Sequence, residues 1–197
     1  MDKSIVPARQ KFVDAARPLF AARGYYGVSL ASVAHELGLT KQSVLHHFGS
    51  KEALYGAVLE QLAERYTSVM EAAGAGTAGP ETRLAAALTA LHSHMMAERE
   101  DARIVMRELL DNVDRAPSSR KWYLRAFLDD LTAMLRAHPS WHGSTDAELA
   151  AGIYQLVGAI NYFAISTPTL TGIWGDEPVA RMEDAFLPVL LGRLRQR

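Results

Sequence analysis

Apolar residues recur at intervals of three and four along almost the whole chain, and runs that alternate apolar with polar residues are absent. This period is typical of amphipathic α-helices, so the pattern predicts an all-α protein. Three short helices are predicted first, followed by longer ones. We expect them over residues 7–23, 30–37, 41–47, 51–72, 81–98, 101–113, 118–137, 146–166 and 179–195.

Residues that cap or break helices define these boundaries. Pro7 suits a first helical turn, whereas Pro18 is predicted to kink the first helix. Gly24 is expected to end that helix in a left-handed conformation, and Ser29, Thr40 and Ser50 to cap the next three helices. Loops are predicted at "AAGAGTAGP", "APSS", "HPSWHGS" and "TPTLTGIWGDEP".

Composition limits the classes of protein that this chain can belong to. Of its 197 residues, 49% are hydrophobic and 22% charged, which suffices for an apolar core without disulfides or metal. The absence of cysteine excludes disulfides, thiolate zinc sites and cysteine nucleophiles. No leader sequence and no apolar run of about 20 residues is recognised, so a cytoplasmic protein without membrane contact is expected.

Charge is distributed unevenly although the formal net charge is only −1. Residues 1–55 carry seven Lys or Arg and four Asp or Glu, whereas the remainder is acidic. A basic segment on an acidic body suggests that one end of the molecule meets a polyanion.

The stretch "SLASVAHELGLTKQSVLHHF" has the pattern of a helix-turn-helix motif. Ala34 permits close approach of two helices, Gly38 tolerates a positive φ in the turn, and Val44 faces back into the core. The outer side of the second helix is then polar and free of carboxylates.

That outer side has the chemistry of a DNA-reading surface. Gln42 can pair with adenine in the major groove, and Lys41 with guanine or phosphate. Thr40 and the N–H groups that it caps can hold a phosphate, and His47 and Lys51 lie where they can contact the backbone. The predicted DNA contacts are therefore Ser29, Thr40, Lys41, Gln42, Ser43, His46, His47 and Lys51.

The segment Leu19–Leu54, "LFAARGYYGVSLASVAHELGLTKQSVLHHFGSKEAL", resembles the N-terminal domain of tetracycline-repressor (TetR) family regulators. The resemblance implies a helix-turn-helix domain at 1–55 and a helical ligand-binding and dimerisation domain at 56–197. It also implies a homodimeric regulator, most often a repressor, that binds a palindromic operator in double-stranded DNA until a small molecule releases it. Leu45 departs from the tyrosine common in the family, Gly49 from a proline, and Pro18 is unusual; fewer phosphate contacts are expected as a result.

The last two long helices are apolar on nearly all faces, which predicts burial on more than one side. A second subunit can cover the extra face in an isologous four-helix interface. The alternative is burial within one large bundle. The predicted interface residues are Leu149, Ile153, Leu156, Ile160, Phe163, Met182, Phe186, Val189 and Leu190.

The small-molecule site is predicted among methionine, aromatic and polar residues of the middle helices. Methionines suit an adaptable apolar cavity, and a few polar groups can orient a ligand within it. No inward cluster of Arg or Lys is recognised, so an uncharged or weakly polar, partly hydrophobic effector is expected. The candidates are His92, Met95, Met96, Met106, Trp122, Phe127, Tyr154, Asn161 and Tyr162.

Two other classes of function remain as alternatives. A helical enzyme is disfavoured because the chain lacks the serine-hydrolase, zinc-protease and phosphate-loop motifs, and neither a cofactor nor a metal is expected. A ligand-binding scaffold with a vestigial DNA-binding segment is compatible with Leu45 and the modest basic charge.

Overall fold

The computed structural model describes residues 8–115 and 122–194, and in these ranges the chain forms nine α-helices, one short 3₁₀ helix and no strand. The predicted all-α fold is confirmed. The predicted roles of Pro7 and of the "APSS" loop fall outside the described residues. The helices are α1 Ala8–Arg23, α2 Leu30–Glu36, α3 Lys41–Phe48, α4 Lys51–Gly74, α5 Pro80–Ala97, α6 Arg99–Arg115, α7 Arg125–Ala137, the 3₁₀ helix Pro139–Trp141, α8 Asp146–Trp174 and α9 Asp176–Arg193.

The described residues divide into two compact units. The first, here called the head, comprises residues 8–63, 103–115 and 122–124, and the second, the body, comprises residues 64–102 and 125–194. Helices α4 and α6 therefore contribute residues to both units. The predicted division at residues 55 and 56 concerns DNA-binding and ligand-binding segments, and it stays a prediction.

The core of the head is built from one face of each of its first helices. Phe12 and Phe20 of α1, Val33 of α2 and Val44 of α3 are almost completely buried. The ring of Phe20 meets that of Tyr55, on α4, edge to face with centroids 4.8 Å apart. Burial of these large side chains fixes α2 and α3 on α1 and α4.

The turn between α2 and α3 has the chemistry that the sequence predicts. Gly38 adopts a φ of 65°, in the left-handed region that favours glycine. The Ala34 carbonyl accepts hydrogen bonds from the N–H groups of Leu37 and Leu39, at 3.1 and 2.9 Å, which closes the end of α2. With Ala34 and Val44 buried, the outer face of α3 is left to solvent.

The body is a bundle in which α8 packs against α5, α7 and α9. Helix α5 presents buried residues at spacings of three and four, and α7 and α8 do the same. The fully buried or nearly buried residues of this core include Leu84, Leu88, Leu91, Met95, Phe127, Leu131, Leu135, Leu149, Ile153, Ile160 and Phe163.

Two helix boundaries in the body differ from the prediction. Helix α8 continues through Pro168 to Trp174, although the sequence predicts a break after residue 166. The Thr167 hydroxyl donates to the Phe163 carbonyl at 2.7 Å, so the turn that loses the proline N–H gains a side-chain donor. Helix α7 begins only at Arg125, and residues 122–124 before it are not helical.

In the head, helix α1 runs through Pro18 without interruption.

Helix α8 is also long and apolar enough to cross a membrane by length and composition alone. Half of its most apolar 18-residue window is buried inside the molecule. Because it packs against three other helices of the body, we interpret it as the central core helix of a soluble protein.

His92 gives the body a dependence of stability on pH. Burial lowers the pKa of His92, and the charge of Glu183 opposes this effect in part. As pH falls below about 6.5, the unfolded chain binds a proton at this imidazole while the folded chain resists it, so stability falls. The imidazole stacks on the ring of Phe186 at 5.3 Å and lies near that of Phe163 at 6.1 Å, an arrangement that phenylalanine can keep.

We therefore expect His92→Phe to lose less thermal stability than the wild type between pH 7.5 and pH 5.5. Scanning calorimetry at several pH values measures this difference. The matched control is His142→Phe, at an exposed histidine, which should leave the pH dependence unchanged. An equal loss in the wild type and His92→Phe would contradict the assignment.

Candidate nucleic-acid interface and effector-binding region

The start of α3 is held by its N-cap. The Thr40 side chain accepts a hydrogen bond from the Ser43 N–H at 3.4 Å and lies 3.2 Å from the Ser43 hydroxyl. Thr40, Lys41 and Gln42 are exposed. The first helical turn of α3 therefore presents its remaining N–H groups and a cation on the same end, which suits a phosphate.

The exposed face of α3 consists of polar residues without a carboxylate. Its exposed and half-buried polar side chains are those that the sequence predicts, and the apolar side chains of Val44 and Phe48 face the core of the head. Leu45 is half-buried, so it adds little to the polar face. The polar residues that the structure brings together on α3 are Lys41, Gln42, Ser43, His46 and His47.

Two basic side chains at the end of this face, His47 and Lys51, pack against aromatic rings. The His47 ring lies 5.3 Å from that of Phe12, and the Lys51 ammonium lies 4.3 Å from the centre of the Tyr25 ring. Partial burial lowers the pKa of Lys51, and the charge of Glu52 opposes this. The Tyr25 ring thus already holds the ammonium that the sequence assigns to phosphate, so a phosphate contact by Lys51 would be shared with that ring.

Sequence reasoning missed Arg9, whose guanidinium lies 4.9 Å from the centre of the Phe48 ring at the end of α3. This stacking places a permanent cation at the end of α3. The sequence offered one indication of this position: Arg9 lies three residues before Phe12, a core residue of the same predicted helix. Ser29, which the sequence also assigns to DNA, caps α2 in a reciprocal capping box with Ser32.

Helix α6 holds the end of α1 and the loop that follows it. The Arg107 guanidinium donates to the Ala22 carbonyl at 3.0 Å, and the Asp111 carboxylate accepts from the Tyr25 N–H at 2.9 Å. A Cβ added at Gly24, whose φ is 66°, would lie 2.6 Å from an Asp111 oxygen. Only glycine therefore fits between these two segments of the head.

The structure brings together only some of the predicted effector contacts. Met95, Phe127 and Asn161 lie in the core of the body, and His92 and Met96 are partly buried in it. Tyr154 and Tyr162 lie outside this core, 74% and 64% exposed, and their assignment to the effector site stays a prediction. Met106 and the exposed Trp122 belong to the head and not to the body.

A polar cluster that the sequence did not reveal lies in the body. The Asp101 carboxylate is completely buried and accepts from Arg65 at 2.8 Å, and it lies 3.0 Å from His94 Nε2. The His94 ring meets the buried ring of Tyr66 edge to face at 5.5 Å. The Tyr66 hydroxyl has no hydrogen-bond partner among the residues that the structure describes. Burial, and secondarily the charge of Asp101, raises the pKa of Tyr66 well above its usual value, and Arg65 opposes this in part.

A cavity of about 460 Å³ opens between α4, the start of α5 and α7. Its lining includes the apolar residues Met70, Ala133 and Met134 together with three charged residues. None of the predicted effector contacts lines it. The charged residues are Glu71, Arg83 and Asp130.

The predicted dimer contacts divide between the interior and the surface. On α8, the residues Leu149, Ile153, Leu156, Ile160 and Phe163 are buried within the chain's own core, so the face of α8 that is open to a second subunit is the opposite one. Tyr154, Gly158 and Tyr162 lie there at helical spacing. On α9, Met182, Phe186, Val189 and Leu190 line a groove of about 320 Å³ next to α8.

The part of the chain that the structure describes contains no group of three or more His, Asp or Glu residues placed to hold a metal ion.

Comparison with known proteins gives two kinds of match. The model of the family described as bacterial regulatory proteins, tetR family, matches residues 12–58, from α1 into α4. The transcriptional repressor AcnR of Corynebacterium glutamicum is 33% identical over 67 residues, which are 34% of this chain and 36% of AcnR. The chain thus matches only about a third of the length of this curated relative.

Solved structures match over nearly the whole chain. A regulatory protein of the tetR family from Rhodococcus RHA1 has a TM-score of 0.70 and 18% identity, over 96% of this chain and 97% of its own. FadR of Bacillus subtilis, solved in complex with stearoyl-CoA, has a TM-score of 0.65 and 16% identity, over 92% of this chain and 97% of its own. At these identities the likeness establishes the fold.

Proposed function

We propose that the chain is a cytoplasmic transcriptional regulator of the tetR family, whose model matches residues 12–58, and that it acts most simply as a repressor that binds a palindromic operator as a homodimer. The observation that carries this proposal is the exposed face of α3, which is polar, free of carboxylates and fixed by a packed core behind it. The proposed function involves no catalysis, because the TetR-like relatives that the chain matches are transcriptional regulators.

In the proposed complex, the N-terminal turn of α3 enters the major groove. Gln42 reads an adenine by donating to N7 and accepting from N6, and Lys41 contacts guanine or phosphate. Thr40, Ser43, His46 and His47 contact the backbone, together with Arg9, and fix the register of the helix. Ser29, at the start of α2, and Lys51 complete the contacts with phosphate.

Two subunits are required because one half-site gives too little affinity. Once one head has bound, the second binds at a high effective concentration. We place the interface on the exposed face of α8 around Tyr154 and Tyr162 and on the groove of α9. Both surfaces are apolar and accessible in the single chain, and α8 and α9 pack together.

The effector is proposed to be a small, partly hydrophobic molecule that binds in the body and disfavours the DNA-bound arrangement. Support comes from the buried Met95, Phe127 and Asn161, and from the fold shared with FadR of Bacillus subtilis, which was solved with stearoyl-CoA. A differential affinity of about 1–3 kcal/mol between the two states is typical of such coupling. A ligand-binding scaffold with a vestigial head is the alternative.

The salt dependence of duplex binding separates these two functions. A DNA-binding head that neutralises phosphates should show a linear fall of log K with log salt, whereas a vestigial head should show no measurable binding. Lys41→Gln should reduce the magnitude of the slope by about 2, one phosphate contact for each half-site. The measurement is fluorescence anisotropy with a labelled duplex. An Arg103→Gln control, at an exposed position of the head on α6, should keep the wild-type slope.

A further inference from the structure

We propose that Tyr66 and Asn161 form the polar end of the effector site, and that the site takes an uncharged molecule carrying both a hydrogen-bond acceptor and a donor on an apolar body. A carboxamide is the simplest group of this kind. The inference rests on the proposed function, because it names the class of effector, and it adds Tyr66, which the sequence does not single out.

One of the two polar atoms of the Asn161 side chain makes no hydrogen bond to the described residues, and the contacts of the other identify it as the oxygen. Asn161 is 3% exposed, and its Nδ2 group donates to the Ala102 carbonyl at 2.9 Å. Because a backbone carbonyl can only accept, the amide orientation is determined, and Oδ1 is the acceptor that remains. Oδ1 is buried and has no hydrogen-bond partner within residues 8–115 and 122–194.

Tyr66 supplies the complementary donor. Its side chain is completely buried, and its hydroxyl also lacks a hydrogen-bond partner in the described part of the chain. Burial and the nearby Asp101 carboxylate keep this hydroxyl protonated. A molecule that meets both residues must therefore accept a hydrogen bond from Tyr66 and donate one to Asn161.

Contacts within the body connect the two residues. The Asn161 amide holds the carbonyl of Ala102, and the neighbouring residue Asp101 binds His94, whose ring packs on that of Tyr66. The ring of Phe127 lies 5.3 Å from that of Tyr66, and the sulfur of Met95 lies 4.0 Å from Asn161 Nδ2. Both residues therefore contact the segment around Asp101 and Ala102, Tyr66 through His94 and Asn161 directly, and an apolar side chain packs beside each of them.

The same cluster disfavours a charged effector. Asp101 already has two cationic or hydrogen-bonding partners, Arg65 and His94, inside the core. An anion beside Asp101 would be repelled, and a cation would have to compete with Arg65 for the carboxylate. Since burial penalises any further net charge, the neutral form of a ligand is preferred.

A buried hydroxyl without a hydrogen-bond partner lowers the stability of the folded protein, so its removal has a measurable effect even without ligand. Tyr66→Phe removes the hydroxyl and keeps the ring. We expect its Tm, in the full-length protein without ligand, to rise by about 2–4 °C. A hydroxyl that served only the structure would lower the Tm when removed. Tyr26→Phe, at an exposed tyrosine of the head, is the control and should not change the Tm.

Ligand binding is tested with three planar probes of nearly equal shape: benzamide, benzoate and benzamidinium. Benzamide at millimolar concentration should raise the Tm of the wild type, and the two ions should not. Tyr66→Phe should weaken the response to benzamide at least about tenfold in concentration. The inference is overturned if Tyr66→Phe has an unchanged or lower Tm, if benzamide has no effect on the wild type, or if the variant responds as the wild type does.

Duplex binding of the same proteins distinguishes this inference from the proposed function. The wild type without ligand should bind DNA. If neither protein binds DNA while the probe results are as expected, the proposed function fails and the ligand site stands. If both bind DNA and the probe results are negative, only the ligand site fails.

Discussion

A Val189→Asp variant is expected to be a monomer that has lost at least about 100-fold in operator affinity. Val189 is 55% exposed in the chain and lines the groove of α9. In an isologous interface the substitution occurs once in each subunit. Although Arg193 lines the same groove and can pair with the new carboxylate, burying these charges in the interface costs several kcal/mol. Loss of the dimer removes the advantage of tethered heads, which is about 10²- to 10⁴-fold. Light scattering measures the mass, and anisotropy the affinity.

The control for this variant is Leu128→Asp. Leu128 is an exposed apolar residue of the body on α7, outside the proposed interface. It should remain dimeric and keep wild-type affinity. If Val189→Asp is dimeric and binds DNA like the wild type, the interface lies elsewhere.

A Gln42→Ala variant is expected to lose preference at one symmetric pair of operator positions while still binding DNA. A bidentate pair with adenine contributes about 1–3 kcal/mol of discrimination for each half-site. Two half-sites give about 2–6 kcal/mol, which is roughly 30-fold or more in the ratio of affinities. Competition titration of the operator against duplexes altered at each position measures this ratio.

Gln10→Ala provides the matched control, because it makes the same truncation in the head on α1. The Gln10 side chain bonds to Asp14 of its own helix at 2.8 Å. Specificity should not change in this variant. If Gln42→Ala keeps the full preference at every position, base reading by Gln42 is wrong.

The head could be predicted closely because its determinants are local. The caps Ser29 and Thr40, the turn glycine Gly38 and the core residue Val44 lie within 16 residues of one another and behave as the pattern indicates. The positions of Lys51 and Arg9 against aromatic rings were not predictable, because each ring comes from another helix or from a loop.

The body was harder to predict because its determinants are distant in sequence. Both faces of α8 are apolar, so periodicity could not tell which face the chain itself buries, and the buried stripe was assigned to a partner. The cluster around Asp101 joins residues 36 and 59 positions apart, through Arg65 to Asp101 and Asn161 to Ala102. No short-range spacing signals contacts of this kind.

Selection of the wild-type protein on a pool of randomised duplexes, followed by sequencing, tests the central claim most directly. The account predicts enrichment of an inverted repeat whose half-site centres are about 10–10.5 base pairs apart or a multiple of this, because two-fold related α3 helices enter successive major grooves. Absence of any enriched sequence, at low as well as moderate salt, would contradict a sequence-specific dimeric regulator.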